Sequence, residues 1–516
     1  PYQSKEIEVN SSFTDNPASH QWDTIQEGIN DALPGDTVFI YNGTYEEEIQ
    51  VSSKENIIIC GESQIGTILS GGISIQTDNI TISNITIING FEHDSIHKIG
   101  LFLESDNSHI SNITFQEISA EDGSDGSDLL SDGGLGGSVY CILIEDCYGL
   151  CLENIYINNI TAGDGGDGNI MGTGGNGGSI SSFELNNVET INLSSISIKN
   201  LTAGNGGIGG DSANGGIGGD SYGFVTWSTE NIEFISLNIS NIRGGKGGNG
   251  GVGADGSIGG YSYGLLGFQT NHSTFNSITL QNISGGDKGL AGLGGTAGLN
   301  GLGLGMYIEE SNNNSFSSSS LKNIISGSLD ISYGLYSYQS HDNNWYNNSI
   351  ATGISQNAYG TYLASSNSNI FKNNNLTSGI GAQGADGGTD VQANGKSGGN
   401  SYGLYIENSF QNKFLNNSII SDNAGNGGNG GTGTYVNGGD GGAGMYSSGG
   451  DGGSSYGLYA EYSSSNHFEN NTLHSGEEGD AGTKGAGMYG SNGINGEDIG
   501  LILMEESDSN ILFHNS

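Results

Sequence analysis

Asn159, Asn200, Asn241, Asn282 and Asn323 follow one another at a constant interval of 41 residues. They open the segments Asn-Ile-Thr-Ala-Gly, Asn-Leu-Thr-Ala-Gly, Asn-Ile-Arg-Gly-Gly, Asn-Ile-Ser-Gly-Gly and Asn-Ile-Ile-Ser-Gly. A fixed period of this length marks a repeat architecture, in which each unit buries its apolar residues only against its neighbours. Every period has two halves. One is a run of β-branched and aromatic residues with Asn and Ser, the other nearly pure glycine punctuated by Asp, Asn or Ser. This alternation predicts a solenoid that extrudes a glycine-rich flap from most of its coils. Between Gly305 and Gly334, and between Gly334 and Gly360, no flap intervenes and the unit shrinks to 29 and 26 residues. The longer units therefore carry an insertion at one fixed corner. The insertions lie near 119–138, 162–179, 203–220, 243–261, 284–303, 379–400, 424–454 and 476–497.

The chain holds 95 glycines and three prolines, which excludes collagen, where Gly at every third position is combined with abundant Pro. Several flaps nevertheless keep a three-residue beat, as in Gly206-Gly207-Ile208-Gly209-Gly210-Asp211. Such a beat fits a polyproline II helix, whose bare glycine faces can approach one another closely. The expectation is that each flap runs out and back as two antiparallel polyglycine helices and stacks on the flaps of adjacent coils. Asp122, Asp125 and Asp128, with Asp164 and Asp167, are acidic enough to suggest calcium. Their spacing matches neither a nonapeptide calcium repeat nor an EF-hand, so calcium is the one cofactor considered, with a solvated acidic turn as the plainer reading.

At the N-terminus, Lys5–Asn10 alternates like a strand, and Trp22, Ile25, Ile29 and Leu33 recur at helical spacing until Pro34-Gly35. Asp36–Tyr41 reads as the next strand, followed by a turn at Asn42-Gly43. From Trp22 to Glu46 this text resembles the "(W/Y)xTIQxAIxxAxPGDTVxVxxGTYxE" opening of the pectin-lyase-like proteins, with Gly28 at the usual Ala position. Further on, Ser401–Glu407 followed by Phe414–Ile420 repeats as Ser332–Ile350, Ala358–Leu376 and Ser455–Leu473. These coils resemble the "YGIYLxxSxxNxIxNNTI" repeat of archaeal and bacterial surface β-helices and of the NosD-like group. The resemblance implies an all-β fold, a right-handed parallel β-helix with a short N-terminal helix plugging its end. It assigns residues 1–54 to the N-terminal strand, capping helix and first coil, and 55–516 to one continuous β-helix. Paired asparagines recur in register (Asn343/Asn348, Asn369/Asn374, Asn412/Asn417, Asn466/Asn471, Asn510/Asn515), as expected of a structural ladder between stacked coils.

The net charge of −44, with Arg243 the only arginine, excludes nucleic acid as a partner. No apolar stretch is long enough to span a membrane. Pro1 reads as a processed start, and glycosylation sequons occur at Asn10, Asn42, Asn79, Asn84, Asn112, Asn159, Asn192, Asn200, Asn238, Asn271, Asn282, Asn313, Asn347, Asn375, Asn416 and Asn470. Together these point outside the cell or to its surface. Four cysteines, Cys60, Cys141, Cys147 and Cys151, leave two readings open, buried stacking thiols or a Cys147–Cys151 disulfide.

The enzymes among the resembled proteins use basic arginines beside aspartates, or Gly-His-Gly and Arg-Ile-Lys tripeptides; neither tripeptide occurs here. His93, His97, His109, His341 and His467 are scattered, and five methionines are few for copper handling. The expectation is therefore no enzyme and no catalytic residue. The main reading is an extracellular structural protein that assembles with itself head to tail into a filament, sheath or surface layer. Residues 6–13 would complete a neighbour's last coil, or else pair within their own. The alternative is an adhesin or glycan-binding β-helix built on the Ser-Tyr-Gly repeats and flap tips, with a polysaccharide lyase or hydrolase behind it.

Overall fold

The computed structural model describes residues 3–93, 96–387, 394–430, 434–435, 442–443, 448–484, 491–504 and 506–516. Parts of the three last flaps, at 388–393, 431–447 and 485–490, lie wholly or partly outside them. The chain divides into two compact units, Pro1–Leu280 with Ser284–Gly301, and Gln281–Ile283 with Leu302–Ser516.

In the first unit the first coils have three short strands, such as Thr37–Ile40, Gly43–Tyr45 and Ile49–Val51, and each coil from Lys98 onward has two parallel strands. The shorter lie in a flat sheet: Lys98–Leu103, Val139–Glu145, Ile180–Asn186, Ser221–Trp227 and Ser262–Phe268. The longer, Tyr148–Thr161, Glu189–Thr202 and Glu230–Arg243, each span 14 residues and bend twice. The bends fall at left-handed residues, Asn154 and Asn159 in the first strand and Ser195 and Asn200 in the second. A left-handed backbone is costly for most L-residues and least so for Asn after Gly, so the 41-residue lattice marks the second corner of each coil. The lattice asparagines also touch. Asn200 Nδ2 donates to Asn159 Oδ1 at 3.2 Å, and Asn241 Nδ2 to Asn200 Oδ1 at 3.0 Å. Between corners the pleat sends alternate residues inward, and Ile155, Ile196 and Leu237 stack in register, as do Ile142 and Phe183.

The second unit repeats the plan with flat strands Ile331–Tyr338, Asn357–Ala364, Asn400–Glu407 and Ser455–Glu461. Its core is an aromatic column, Phe316–Trp345–Phe371–Phe414–Phe468, with ring centroids 4.0, 5.7, 5.1 and 4.8 Å apart. At two corners of each coil from Asp342 to Asn471 the residue after the left-handed one is here a buried Asn rather than Ile. Asn374, Asn417 and Asn471 show the rule. Asn417 Oδ1 accepts the Asn374 N–H at 2.8 Å, Asn471 Oδ1 accepts the Asn417 N–H at 2.8 Å, and Asn417 Nδ2 donates to the Phe371 carbonyl at 2.9 Å. Asn348 heads this column. Its N–H donates to Asn374 Oδ1 at 2.8 Å and its Nδ2 to the Phe316 carbonyl at 3.0 Å. Its own Oδ1, however, accepts the N–H of Ser319 at 2.9 Å, so the asparagines of this column begin at Asn348 and the preceding coil supplies a serine. The column of Asn343, Asn369, Asn412, Asn466 and Asn510 bonds in the same way, with Asn515 below Asn471, and it reaches one coil further, to Asn314 above Asn343. Each amide thus satisfies a donor and an acceptor of the preceding turn that burial would otherwise leave unpaired.

Helix α1, Ile25–Asp31, is shorter than its apolar spacing predicts: Trp22 belongs to a strand pair (Gln21–Trp22) and Leu33 is exposed. Thr24 caps it, its hydroxyl accepting the Glu27 N–H at 3.3 Å and donating to Glu27 Oε2 at 2.8 Å, and both Glu47 oxygens accept the first free N–H groups, from Ile25 at 2.7 Å and Gln26 at 3.0 Å. Ile25 and Ile29 enter the core, and a Cβ on Gly28 would press on Val9 at 2.6 Å. Glu6–Val9 pairs in parallel with Thr37–Ile40 of the same chain. The strand proposed as a donor to a neighbour is therefore engaged in its own first coil.

The flaps form a hydrogen-bonded lattice. In the flap at 203–220, Gly207 N–H donates to Gly175 of the preceding flap, Gly216 N–H to Gly207 across the two arms, and Gly248 N–H of the next flap to Gly216, at 2.8 to 2.9 Å. Like arms also bond sideways, Gly206 N–H to the Lys246 carbonyl at 2.8 Å. A Cβ on Gly206 or Gly207 would fall far inside contact with a neighbouring carbonyl oxygen. Glycine is needed here for space, whatever its φ.

The four cysteines are unpaired. The Cys147–Cys151 disulfide is not formed because the two side chains take different surroundings. Cys147 is buried, its sulfur accepting the Ser105 N–H at 3.1 Å, while Cys151 takes the outward position between buried Leu150 and Leu152. Burial pushes the Cys147 thiol up to about 12, and raises that of Cys141 also.

Candidate functional site

The flat sheet of the first unit carries a cleft of about 240 Å³ on its outer face, lined by His93, His97, Ile99, Tyr140, Leu143, Glu145, Glu184 and Asn186. Outward positions of two adjacent strands supply its floor, where Leu143 sits beside Glu184 and Glu145 beside Asn186. The histidines come from the end of an antiparallel pair, Phe91–Glu92 with Lys98–Leu103, and His93 N–H donates to the His97 carbonyl at 2.9 Å. His97 Nδ1 accepts the Ser138 N–H at 3.2 Å, which assigns the proton of the neutral ring to Nε2. Asn186 Nδ2 bridges Glu145 Oε1 at 3.1 Å and Glu184 Oε1 at 3.4 Å. Burial raises the Glu184 carboxyl above its ordinary range, and the charge of Glu145 adds to the effect.

This constellation was not legible in sequence. His93 and His97 read as scattered, and the signal lay in register: Glu184 interrupts an outward column of Phe102, Leu143 and Val225. A carboxyl with a raised pKa binds its proton more tightly in the folded chain than in the unfolded one. Its contribution to stability is full below the ordinary Glu range and is lost as pH rises through the raised value. Glu184→Gln is accordingly expected to raise the melting temperature at pH 7 and leave it nearly unchanged at pH 4, as read by thermal melts.

In the second unit the outward face of its own flat sheet bears stacked tyrosines. Tyr333, Tyr359, Tyr402 and Tyr456 follow at 5.1, 4.8 and 5.2 Å, and Tyr362, Tyr405 and Tyr459 at 4.8 Å each. Tyr362 donates to Glu407 and Tyr405 to Glu461 at 2.5 Å; burial first, then these carboxylates, raise both hydroxyls. The ring faces are spent on each other, leaving ring edges toward solvent. Within the Ser-Tyr-Gly repeat only the tyrosine faces outward. Ser401 is fully buried, its hydroxyl bonded to Ser378 and Gly379, and Gly403 packs inside.

The proposed calcium aspartates do not converge. Asp122, Asp125, Asp164 and Asp167 each turn Oδ1 to the N–H of the matching residue in the next flap, at 2.7 to 2.9 Å, and Asp128 closes a tip turn with Ser131. Among the described residues, the carboxylates that do converge are Asp15, Asp23 and Glu27, whose oxygens lie within 4.8 Å of one another, a set able to take a divalent cation such as Ca²⁺.

None of the sixteen sequon asparagines is buried. Those at Asn84, Asn112, Asn159, Asn200, Asn282, Asn347, Asn416 and Asn470 occupy left-handed corners. No helix among the described residues is long and apolar enough to cross a membrane.

No protein-family profile matches the chain, and no curated protein matches it. Among solved structures, the A-module of the mannuronan C-5 epimerase AlgE6 of Azotobacter vinelandii is 12% identical, covers 76% of this chain and 88% of its own, and superposes with a TM-score of 0.42. The periplasmic alginate epimerase AlgG is 12% identical over 93% of this chain and 76% of its own (TM-score 0.31), and the pectin methylesterase PemA of Erwinia chrysanthemi 13% over 52% and 90% (TM-score 0.25). With its parallel sheets, its stacked coils and, among the described residues, one α-helix at the N-terminal end, the chain has a right-handed parallel β-helix fold.

Proposed function

We propose that this chain is an extracellular or surface-displayed β-helix that binds a glycan on the outer face of its flat sheet. The observation that carries the reading is the cleft of Tyr140, His93, His97, Glu145, Glu184 and Asn186. It combines an aromatic wall with acceptors and donors for sugar hydroxyls, on a rigid sheet that needs no rearrangement to present them. Two carboxylates in the cleft and a net charge of −44 repel polyanions, so a neutral or amino-sugar glycan fits better than a polyuronate. Surface sequons support an exported chain. The self-assembling reading loses its donor strand, because Glu6–Val9 is already paired.

Glycan-array screening followed by calorimetry tests the proposal. Wild-type protein should bind a neutral or amino-sugar glycan, and Tyr140→Ala or Glu145→Gln should weaken it tenfold or more without loss of fold. Absence of glycan binding by the wild type would end the reading. The raised carboxyl of Glu184 favours one second reading, acid–base cleavage of a bound glycan in the same cleft. That reading requires product formation by the wild type, and binding without cleavage by Glu184→Gln.

A further inference from the structure

Glycine within the flaps follows a rule that depends on what lies on each side. On the outgoing arm, Gly204 and Gly207 face the preceding flap, where a Cβ would run into the carbonyls of Gly163 and Gly166; Gly245 and Gly248 repeat this one flap later. On the return arm, Gly215 and Gly218 face the following flap, where a Cβ would run into Gly248 and Gly245. At these positions an interior flap therefore needs glycine on both faces. A terminal flap needs it on one.

The ends of the first stack obey this rule. In its first flap the preceding-side positions of the outgoing arm hold Glu121 and Ser124, whose carbonyls face Gly163 and Gly166. In its last flap the following-side positions of the return arm, equivalent to Gly256 and Gly259, hold Ala297 and Asn300. The second unit shows the same substitutions independently. Ala382 and Ala385 stand on the entry side, facing Gly425 and Gly428, while Asn492 and Asn495 stand on the exit side, where the preceding flap has Gly449 and Gly452.

The exit asparagines do more than fill space. In interior flaps, Gly247 N–H donates to the Asp287 carbonyl of the next flap, and Gly427 N–H to that of Asp480. The equivalent donors of the last flaps take a partner within their own flap. Lys288 N–H donates to Asn300 Oδ1 at 3.1 Å, Ala481 N–H to Asn495 Oδ1 at 3.0 Å, and Lys484 N–H to Asn492 Oδ1 at 3.0 Å. Each Asn reaches across its own flap and takes up the donor that would otherwise recruit another strand.

We infer that both polyglycine stacks are closed at their ends by these residues, so that a flap of a second copy of this chain cannot add to them. An open polyglycine face would present rows of unpaired N–H groups on a surface without side chains, the same hazard as a bare sheet edge. Closure keeps the lattice intramolecular and of fixed thickness.

The test uses the full chain. The variant Lys288→Gly/Ala291→Gly/Ala297→Gly/Asn300→Gly restores the interior pattern on the exit face, and sedimentation equilibrium should show self-association at least tenfold tighter than the wild type. Unchanged association, with hydrogen-exchange protection of 203–220 intact, would overturn the inference. A second variant guards against loss of order in the altered flap. Gly256→Ala/Gly259→Asn places the exit residues one flap early and should strip protection from amides 284–301 while 163–178 keeps it. Retained protection at 284–301 would overturn closure equally. Both readouts are independent of glycan binding.

Discussion

Gly207→Ala should be among the most damaging single-methyl changes in the molecule, costing about 3 kcal/mol within the flap layer. The added Cβ would enter the carbonyl of Gly166, and moving the arm away breaks the bonds Gly207 makes to Gly175 and receives from Gly216. Because each flap rests on two others, loss of amide protection should spread to 163–178 and 245–260 in hydrogen exchange. Ile208→Ala, one residue away, is the control. Its side chain points out of the lattice, 48% exposed, and the substitution should change stability by less than about 0.5 kcal/mol.

Asn417→Leu is expected to cost a similar amount, about 3–5 kcal/mol, by a different route. The amide is buried and fully used, accepting from Asn374 N–H and Nδ2 and donating to the Phe371 carbonyl. Leucine branches at the same carbon but is bulkier, and it leaves a backbone donor and an acceptor unpaired in the core, so that the ladder above it, Asn374 and then Asn348, loses its support. Asn416, its neighbour in sequence, sits at an exposed left-handed corner with φ 56°. Asn416→Gly should be nearly neutral and Asn416→Ala about 1 kcal/mol worse, since only a Cβ is penalised there. Urea unfolding of the three variants, followed by tyrosine fluorescence in the second unit, separates the buried role from the corner role.

These two neighbours show how much could be read in advance. The buried asparagines pair at a five-residue spacing in each coil, which was enough to place a ladder, because a stacked coil brings equivalent positions together whatever the rest of the chain does. Where the column would stop was not legible, since Ser319 above Asn348 needs only a backbone N–H to serve as its last partner. The flaps were legible for the same reason as the ladder, since a three-residue beat with bare faces has few other uses. The acidic residues of the flaps were left between weak calcium candidates and solvated turns. Asp164 and Asp167 look like calcium ligands along the chain, but each serves as a cap for an N–H one flap away, at Asn205 and Ile208. Glu47, which caps helix α1, was given no role in advance, although it fills the final Glu position of the GTYxE text; the motif names the residue and only the fold shows the helix end it serves.

By itself the sequence determined what repeats: the coil, the Asn columns and the flaps, while the left-handed corners and the positions where glycine stops being required at the ends of a stack became visible only in the structure. Periodic features are encoded many times over, and each copy constrains the next. The cleft was decided only by the tertiary structure. Tyr140, Glu145, Glu184 and Asn186 come from two coils, and His93 and His97 from just beyond the paired strands Phe91–Glu92 and Lys98–Leu103, each an unremarkable residue in its own segment. Only the 41-residue register, which lays one coil on the next, brings them onto one face and withdraws enough water from Glu184 to raise its pKa.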